Sequence, residues 1–333
     1  MTTDNSRTKR REPNAGNQTQ GNKECRWCTS NDTEKVAVGA KARWIVEIPS
    51  STEISYLLKC NDCGLVFFSA SFSEGEISRM YSGYRNSDYQ RRRAKYEPWY
   101  SRRINDAIGH SADVLTLRRK HLEDTLSTAL RVHPEKTISP VRVLDVGGDE
   151  GQFIPNIESI THKAVLEVSG VRPVDGAQVL GSWNEVADFA PDMVMMCHVL
   201  EHIETARENI ENASRTLKPG GLLYVEIPLD RPVKVGRLFS TPLYMKYTKF
   251  LCKATPFFVI ADLLSLISRK FLGRPIPGSV IKQNEHINFF DGVTINSVVE
   301  TFGFELIHES IYKPSSGVPV LDVSASGTLF VRK

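Results

Sequence analysis

Four cysteines stand at one repeated spacing, Cys25-Arg-Trp-Cys28 and Cys60-Asn-Asp-Cys63, with Gly64 after the second pair. Each knuckle offers two sulfurs at one turn, and two knuckles in so short a segment suit a tetrahedral zinc–thiolate site. Four thiolates leave no open coordination position, so such a zinc staples structure rather than doing chemistry. Disulfides and an iron–sulfur cluster are the other readings of these residues. A second group lies mid-chain, where Val143-Leu144-Asp145-Val146 reads as a buried strand and Gly147-Gly148-Asp149-Glu150-Gly151 as the tight turn that opens a helix. Glycines there allow a backbone to approach a nucleotide-like ligand, with the helix N-terminus facing it. A dinucleotide site fits such a turn less well, because the third glycine is not placed as in G-x-G-x-x-G. A third group is Glu285-His286, a histidine beside a carboxylate and hence a candidate general base. His198-Val-Leu-Glu201-His202 also spells H-x-x-E-H, a zinc peptidase signature when helical. Here the apolar run Met193 to Met196 puts His198 at a strand end, so the pair cannot share a helical face.

The elements that must position these groups read as strand, helix, strand (Ala164 to Ser169), strand (Gln178 to Leu180), strand (Asp192 to Cys197), helix, strand (Gly221 to Ile227), and a closing pair, Phe304 to Glu309 and Gly327 to Arg332. Alternation of this kind predicts an α/β protein with a doubly wound, largely parallel sheet and ligands beyond the carboxyl ends of its strands. Between the cysteine pairs, Val36 to Val38, Trp44 to Ile48 and Tyr56 to Leu58 alternate like short strands, which suits a small zinc ribbon.

Taken in order, Asp145 to Gly151, Glu167 closing a second apolar strand, Asp192 to His202 (DMVMMCHVLEH) and Leu217 to Pro228 (LKPGGLLYVEIP) resemble the class I S-adenosylmethionine-dependent methyltransferases over about residues 139 to 333. The resemblance implies a Rossmann-like methyltransferase sheet with an antiparallel last strand and S-adenosylmethionine as cofactor. Asp145, Gly147, Gly148, Asp149 and Gly151 would then line the methionine part, with Asp149 standing where the family usually has a glycine. Glu167 would accept the ribose hydroxyls, Ser182 and Trp183 would flank the adenine, and Cys197 and His198 would lie beside the sulfonium. Gln283 to Phe290 (QNEHINFF) resembles the Glu-His element of sugar methyltransferases, which makes His286 the candidate base, Glu285 its orienting acid and His198 the rival. C-methyltransferases of that group carry a tyrosine where Gln283 stands, so O-methylation of a nucleotide- or lipid-linked saccharide is the expectation. An RNA methyltransferase and a non-catalytic zinc-containing binding protein are the alternatives.

Composition bounds these readings. With 41% hydrophobic and 24% charged residues, the 333-residue chain has the makeup of a soluble globular protein. A net charge of +3 does not call for a nucleic-acid partner. Residues 1–22 are polar and carry Arg7, Lys9, Arg10 and Arg11, as a disordered basic tail would. No apolar h-region follows and no apolar stretch of about 20 residues exists, so a cytoplasmic location is expected. The domain reading is then a zinc ribbon over 23–72, a helical linker or cap over 73–138, and the core over 139–333 with an insertion at 231–282. From Arg85 to Arg103 there are seven basic and two acidic residues among several tyrosines, suited to a solvated helix face or to a rim holding an anionic substrate. The insertion has nine Lys or Arg between Arg231 and Arg274 and a single acid, Asp262. Its apolar centre, Phe257 to Ser268, predicts either a lid or homodimer contact or peripheral membrane contact through 241–272.

Overall fold

The computed structural model describes residues 24–46, 54–107, 112–133, 139–167, 173, 176–229, 235–313 and 323–333. The basic tail over 1–22, the end of the expected second strand at 168–169 and the start of the insertion at 231–234 lie outside them. Seven strands form the larger sheet: β4 (Arg142–Val146), β5 (His162–Leu166), β6 (Ala177–Leu180), β7 (Met193–Cys197), β8 (Leu222–Pro228), β11 (Phe304–Tyr312) and β12 (Ala325–Arg332). Their order across the sheet is β11-β12-β8-β7-β4-β5-β6. The five from β4 to β8 run parallel, and β12 lies antiparallel between β8 and β11. Strands β7 and β8 are buried at every residue, as central strands of a doubly covered sheet are.

Helices cover both faces. On one, Leu122, Leu126 and Ala129 of α4 (Ala112–Val132) pack on Val143, Met193, Met195 and Leu329. On the other, α5 (Trp183–Phe189), α6 (Ala206–Thr216) and α9 (Gly292–Val299) bury Val186, Ile210 and Val298 against Leu144, Val194 and Leu223. The strand order reverses between β4 and β7, and at such a switch point the turns after adjacent strands splay apart to leave a crevice.

A second sheet joins the two ends of the sequence. Its order is β10-β3-β2-β1-β9, built from β1 (Thr33–Lys41), β2 (Ile54–Cys60) and β3 (Val66–Phe68) with two short outer strands, β9 (Lys282–Gln283) and β10 (Asn288–Phe289). β9 runs parallel to β1, and β10 antiparallel to β3. Cys25, Trp27, Cys60 and Cys63 belong to the same apolar cluster as Leu144 and Val298, and Trp27 Nε1 donates to Thr294 O at 2.6 Å. The cysteine segment is therefore continuous with the large core. Of the strand expected over Trp44 to Ile48, residues 47–48 lie outside the described residues, and Trp44 and Ile45 stand instead in a turn at Arg43–Ile45, closed by Ile45 N to Ala42 O at 3.1 Å. Its alternation reflects burial in a turn, because Trp44 packs edge-on against Tyr89 and donates to Asn284 Oδ1. After β3 come α1 (Glu74–Tyr81), α2 (Ser87–Ala94) and α3 (Arg102–Ala107), with Met80 and Tyr89 packed on Trp44 and Ile45, and α7 (Pro242–Lys253) and α8 (Thr255–Leu272) form the insertion. Among the described residues no helix is long and apolar enough to cross a membrane.

Candidate active site

The turn after β4 departs from ordinary backbone at three of five positions. Gly147 and Gly151 have φ of +62° and +75°, and Asp149 has φ of +52°. An aspartate tolerates that left-handed conformation better than most residues, which explains how it replaces a glycine here. Gly148 has no room for a side chain, since a Cβ would stand 2.3 Å from the Asp145 carboxylate. Asp145 itself is fully buried, and neither carboxylate oxygen has a hydrogen-bond partner. Burial pushes its pKa up to about 7, with Arg118 pulling the other way. Glu167, half-buried, follows β5, and its backbone N donates to Leu180 O at 3.1 Å.

Across the crevice, β7 and β8 end in a charged cluster. His198 adopts φ of +57° just beyond β7, and its N donates to Glu226 O at 2.9 Å. Its ring lies between two buried acids: Nδ1 is 3.3 Å from Glu201 Oε1 and Nε2 is 3.2 Å from Glu226 Oε1. Burial and Arg118 lower the His198 pKa, but the two carboxylates outweigh them and the net shift is upward. Glu226 also pairs with Arg118 and accepts from Tyr224 OH at 3.1 Å. Burial raises the Glu226 pKa, yet Arg118 and His198 together hold it far below the usual carboxylate range.

The second sheet brings its own histidine to this mouth. Phe68 N donates to Ile287 O at 2.9 Å, and the N–H groups of Ile287 and Asn288 both reach Glu201 O, at 2.8 and 3.1 Å. Asn288 Nδ2 adds bonds to Leu200 O and Ile203 O, clamping the loop after β7 to the element that carries His286. The His286 and His202 rings meet edge to face, with centroids 4.6 Å apart. His202 Nδ1 donates to Glu285 O at 3.2 Å. Burial and the neighbouring His286 push His202 down to about 4, so its ring is neutral. Burial raises Glu201, but His198, His202 and His286 bring it net down to about 2. The Glu285 carboxylate points away from these rings, accepting from Tyr89 OH at 2.5 Å and from Arg93 Nη1 at 2.8 Å. The acid that faces the histidines is thus Glu201, whereas Glu285 contributes its carbonyl.

A sequence family described as "Methyltransferase domain" matches residues 115–309, from within α4 to β11. The chain belongs to that family. The match and the sheet order make it an S-adenosylmethionine-dependent methyltransferase. No curated protein matches the chain. Solved structures similar to this methyltransferase include the magnesium protoporphyrin IX methyltransferase of Synechocystis PCC 6803 with bound SAH, at 12% identity over 69% of this chain and 93% of that one, with a TM-score of 0.38. A possible histamine N-methyltransferase of Thermotoga maritima is similar at 16% identity over 65% of this chain and 92% of that one, TM-score 0.34. Human N-acetylserotonin methyltransferase is similar at 12% identity over 79% and 60%, TM-score 0.34. At these values none of them bears on what this methyltransferase acts on.

The residues around the β4 turn fit the cofactor. Asp145 keeps two buried acceptors for an ammonium group, Gly147 and Gly151 keep the backbone open, and Glu167 stands at the next strand end. Ser182 and Trp183 follow β6 but are engaged with protein: Ser182 caps α5 through Glu185 N, and Trp183 Nε1 donates to Asn209 Oδ1 at 3.3 Å. Cys197 is buried at the end of β7 beside Glu226 and Asp145. The cysteines form a separate group, with Cys25 and Cys63 sulfurs 3.5 Å apart and Cys28 and Cys60 sulfurs 3.5 Å apart. That is too far for a disulfide, whose sulfurs lie about 2.05 Å apart, and close to the roughly 3.8 Å edge of a tetrahedron with 2.3 Å Zn–S bonds. Thr29 and Gly64, each just after a knuckle, share left-handed φ values of +63° and +79°. Glu201, His202 and His286 also bring one ligand atom each within 4.8 Å of one another. Sequence reading missed Arg118 and Glu226. An acid inside the run Leu222-Leu-Tyr-Val-Glu-Ile-Pro228 was the available signal, because a charge in a buried strand requires a partner.

Proposed function

We propose that this methyltransferase methylates a hydroxyl of a saccharide, with His286 as the general base. The observation that carries the reading is the docking of the β9–β10 segment against the loop after β7, which holds His286 beside His202 at the site mouth. Bound S-adenosylmethionine supplies an electrophilic methyl on a positively charged sulfur. His286 takes the hydroxyl proton as the substrate oxygen attacks, with neutral His202 and ionised Glu201 behind it. His198 is the poorer base, because it sits between two carboxylates that favour its protonated form. Its role in this reading is to hold the acids and the loop in place.

A polar aromatic rim supports a sugar-like substrate. Tyr81 and Tyr84 are each more than a third exposed, Tyr84 packs on Tyr89 at 5.4 Å, and Tyr89 bonds Glu285 next to His286. Arg85 donates to Tyr84 OH and Tyr100 OH and adds a positive charge for a phosphate-linked carrier. In the same reading Cys25, Cys28, Cys60 and Cys63 hold a structural zinc, supported by the sulfur spacings. The test is incubation with methyl-labelled S-adenosylmethionine and separated nucleotide-sugar, lipid-linked saccharide and RNA fractions. Alkali-stable label on a saccharide hydroxyl is the expected result. Label confined to RNA, or none in any saccharide fraction, overturns it.

A further inference from the structure

The α8 helix of the α7–α8 pair is apolar on the side that faces solvent. On α8, Phe258, Ala261, Asp262, Ser265 and Ser268 are buried. On the other side of the same helix, Phe257 (56% exposed), Ile260 (62%), Leu263, Ile267 and Phe271 (75%) recur at helical spacing in the open. A helix with one side in water is ordinarily polar there. From α7, Phe250 meets Phe257 with ring centroids 5.6 Å apart, so the exposed apolar surface runs across both helices. Contiguous apolar patches of this kind mark interaction surfaces on soluble chains.

Charge identifies the partner. Lys246, Lys249, Lys253, Lys270 and Arg274 surround the patch and are exposed. Asp262, the only acid between Arg231 and Arg274, is buried and pairs with Lys282. The exposed side of the hairpin is thus basic and apolar throughout. A two-fold contact with a second copy would set these cations against their own images with no acid of the hairpin to pair them. We propose that this face seats on an anionic lipid surface, with its aromatic and aliphatic side chains in the headgroup–acyl boundary and its lysines on lipid phosphates. The buried side of α8 reaches the catalytic region through Asp262, Lys282, Glu97, Arg93 and Glu285, each ion-paired to the next, so the seated face and the site mouth lie on neighbouring elements.

Co-sedimentation of the full chain with vesicles tests this. Vesicles of equimolar phosphatidylcholine and phosphatidylglycerol should pull down the protein, pure phosphatidylcholine should do so weakly, and added salt should release it. Phe257→Ser/Ile260→Ser/Phe271→Ser should weaken binding by at least about tenfold, from the apolar area withdrawn. Lys246→Glu/Lys249→Glu should weaken it by about fivefold or more for each charge reversed. All five side chains are exposed, so unchanged cofactor affinity verifies that both variants fold. No sedimentation of the parent with anionic vesicles overturns the proposal. So does binding that ignores these substitutions, or a parent dimer in ultracentrifugation that the serine variant dissociates.

Discussion

Asp145→Asn tests whether the buried carboxylate near the end of β4 exists for a ligand. Its two oxygens lack partners within the chain, and burial holds its pKa up at about 7, against an ordinary value near 4. The folded group has the higher pKa, so between about pH 4 and pH 7 the native state binds more protons than the unfolded one. Stability from this group is therefore lost as pH rises through that window in the cofactor-free protein. At about 1.4 kcal/mol per tenfold, keeping the acid ionised at pH 8 costs about 4 kcal/mol. Unfolding entropies near 2 cal/mol/K per residue over 333 residues convert this to a melting shift of roughly 6 °C. Asn removes the charge, so the variant should melt higher than the parent at pH 8 by about that amount and close to it at pH 5. Its affinity for S-adenosylmethionine should fall roughly 10- to 100-fold at pH 8, the loss expected for a hydrogen bond to a charged group. Scanning calorimetry at the two pH values and titration calorimetry read both effects. Equal pH dependence in parent and variant, together with equal cofactor affinity, refutes the assignment of Asp145.

Other substitutions probe the scaffold. Gly147→Ala places a Cβ 3.0 Å from Val199 Cγ2 at a φ of +62° and should cost about 1–2 kcal/mol in denaturant unfolding as well as weaken cofactor binding. Glu167→Ala should weaken cofactor binding by about 1–3 kcal/mol with the melting temperature unchanged, and equal affinity speaks against a ribose contact. Elemental analysis should find one zinc per chain, and chelation should raise hydrogen exchange in β1–β3 and also around His286, because β10 pairs with β3; iron, or no metal, contradicts the site. Arg93→Met removes the ion-pair partner of Glu285 and one of the two of Glu97 in a buried network and should destabilise the fold by about 3 kcal/mol. A loss below about 1 kcal/mol shows that the network is not what holds Glu285.

The parallel sheet was legible because β4, β7 and β8 are short, mostly apolar runs that carry or precede chemistry-bearing residues: Asp145 in β4, His198 after β7 and Glu226 in β8. The cysteine cluster was legible because knuckle spacing is local. The joining of β1 and β3 to β9 and β10 was not, since two-residue strands show no period and their partners lie more than 200 residues away in sequence. For the same reason the partners of Glu285 were misassigned: its sequence neighbour is His286, but its carboxylate meets Tyr89 and Arg93 on α2. Trp44 and Ile45 imitated a strand because burial in a turn against Tyr89 leaves the same apolar trace. Arg118 was hidden on α4, a helix rich in other charges, and only the fold sets it against Glu226.

The central claim is that the second sheet delivers the base. Single-turnover methyl transfer by His286→Ala, with cofactor affinity measured alongside, tests it most directly. The rate should fall by roughly 10²–10⁴, the usual contribution of a general base, with S-adenosylmethionine affinity unchanged. A variant that transfers methyl at the parental rate to saturating substrate contradicts it and leaves His286 a structural neighbour of His202.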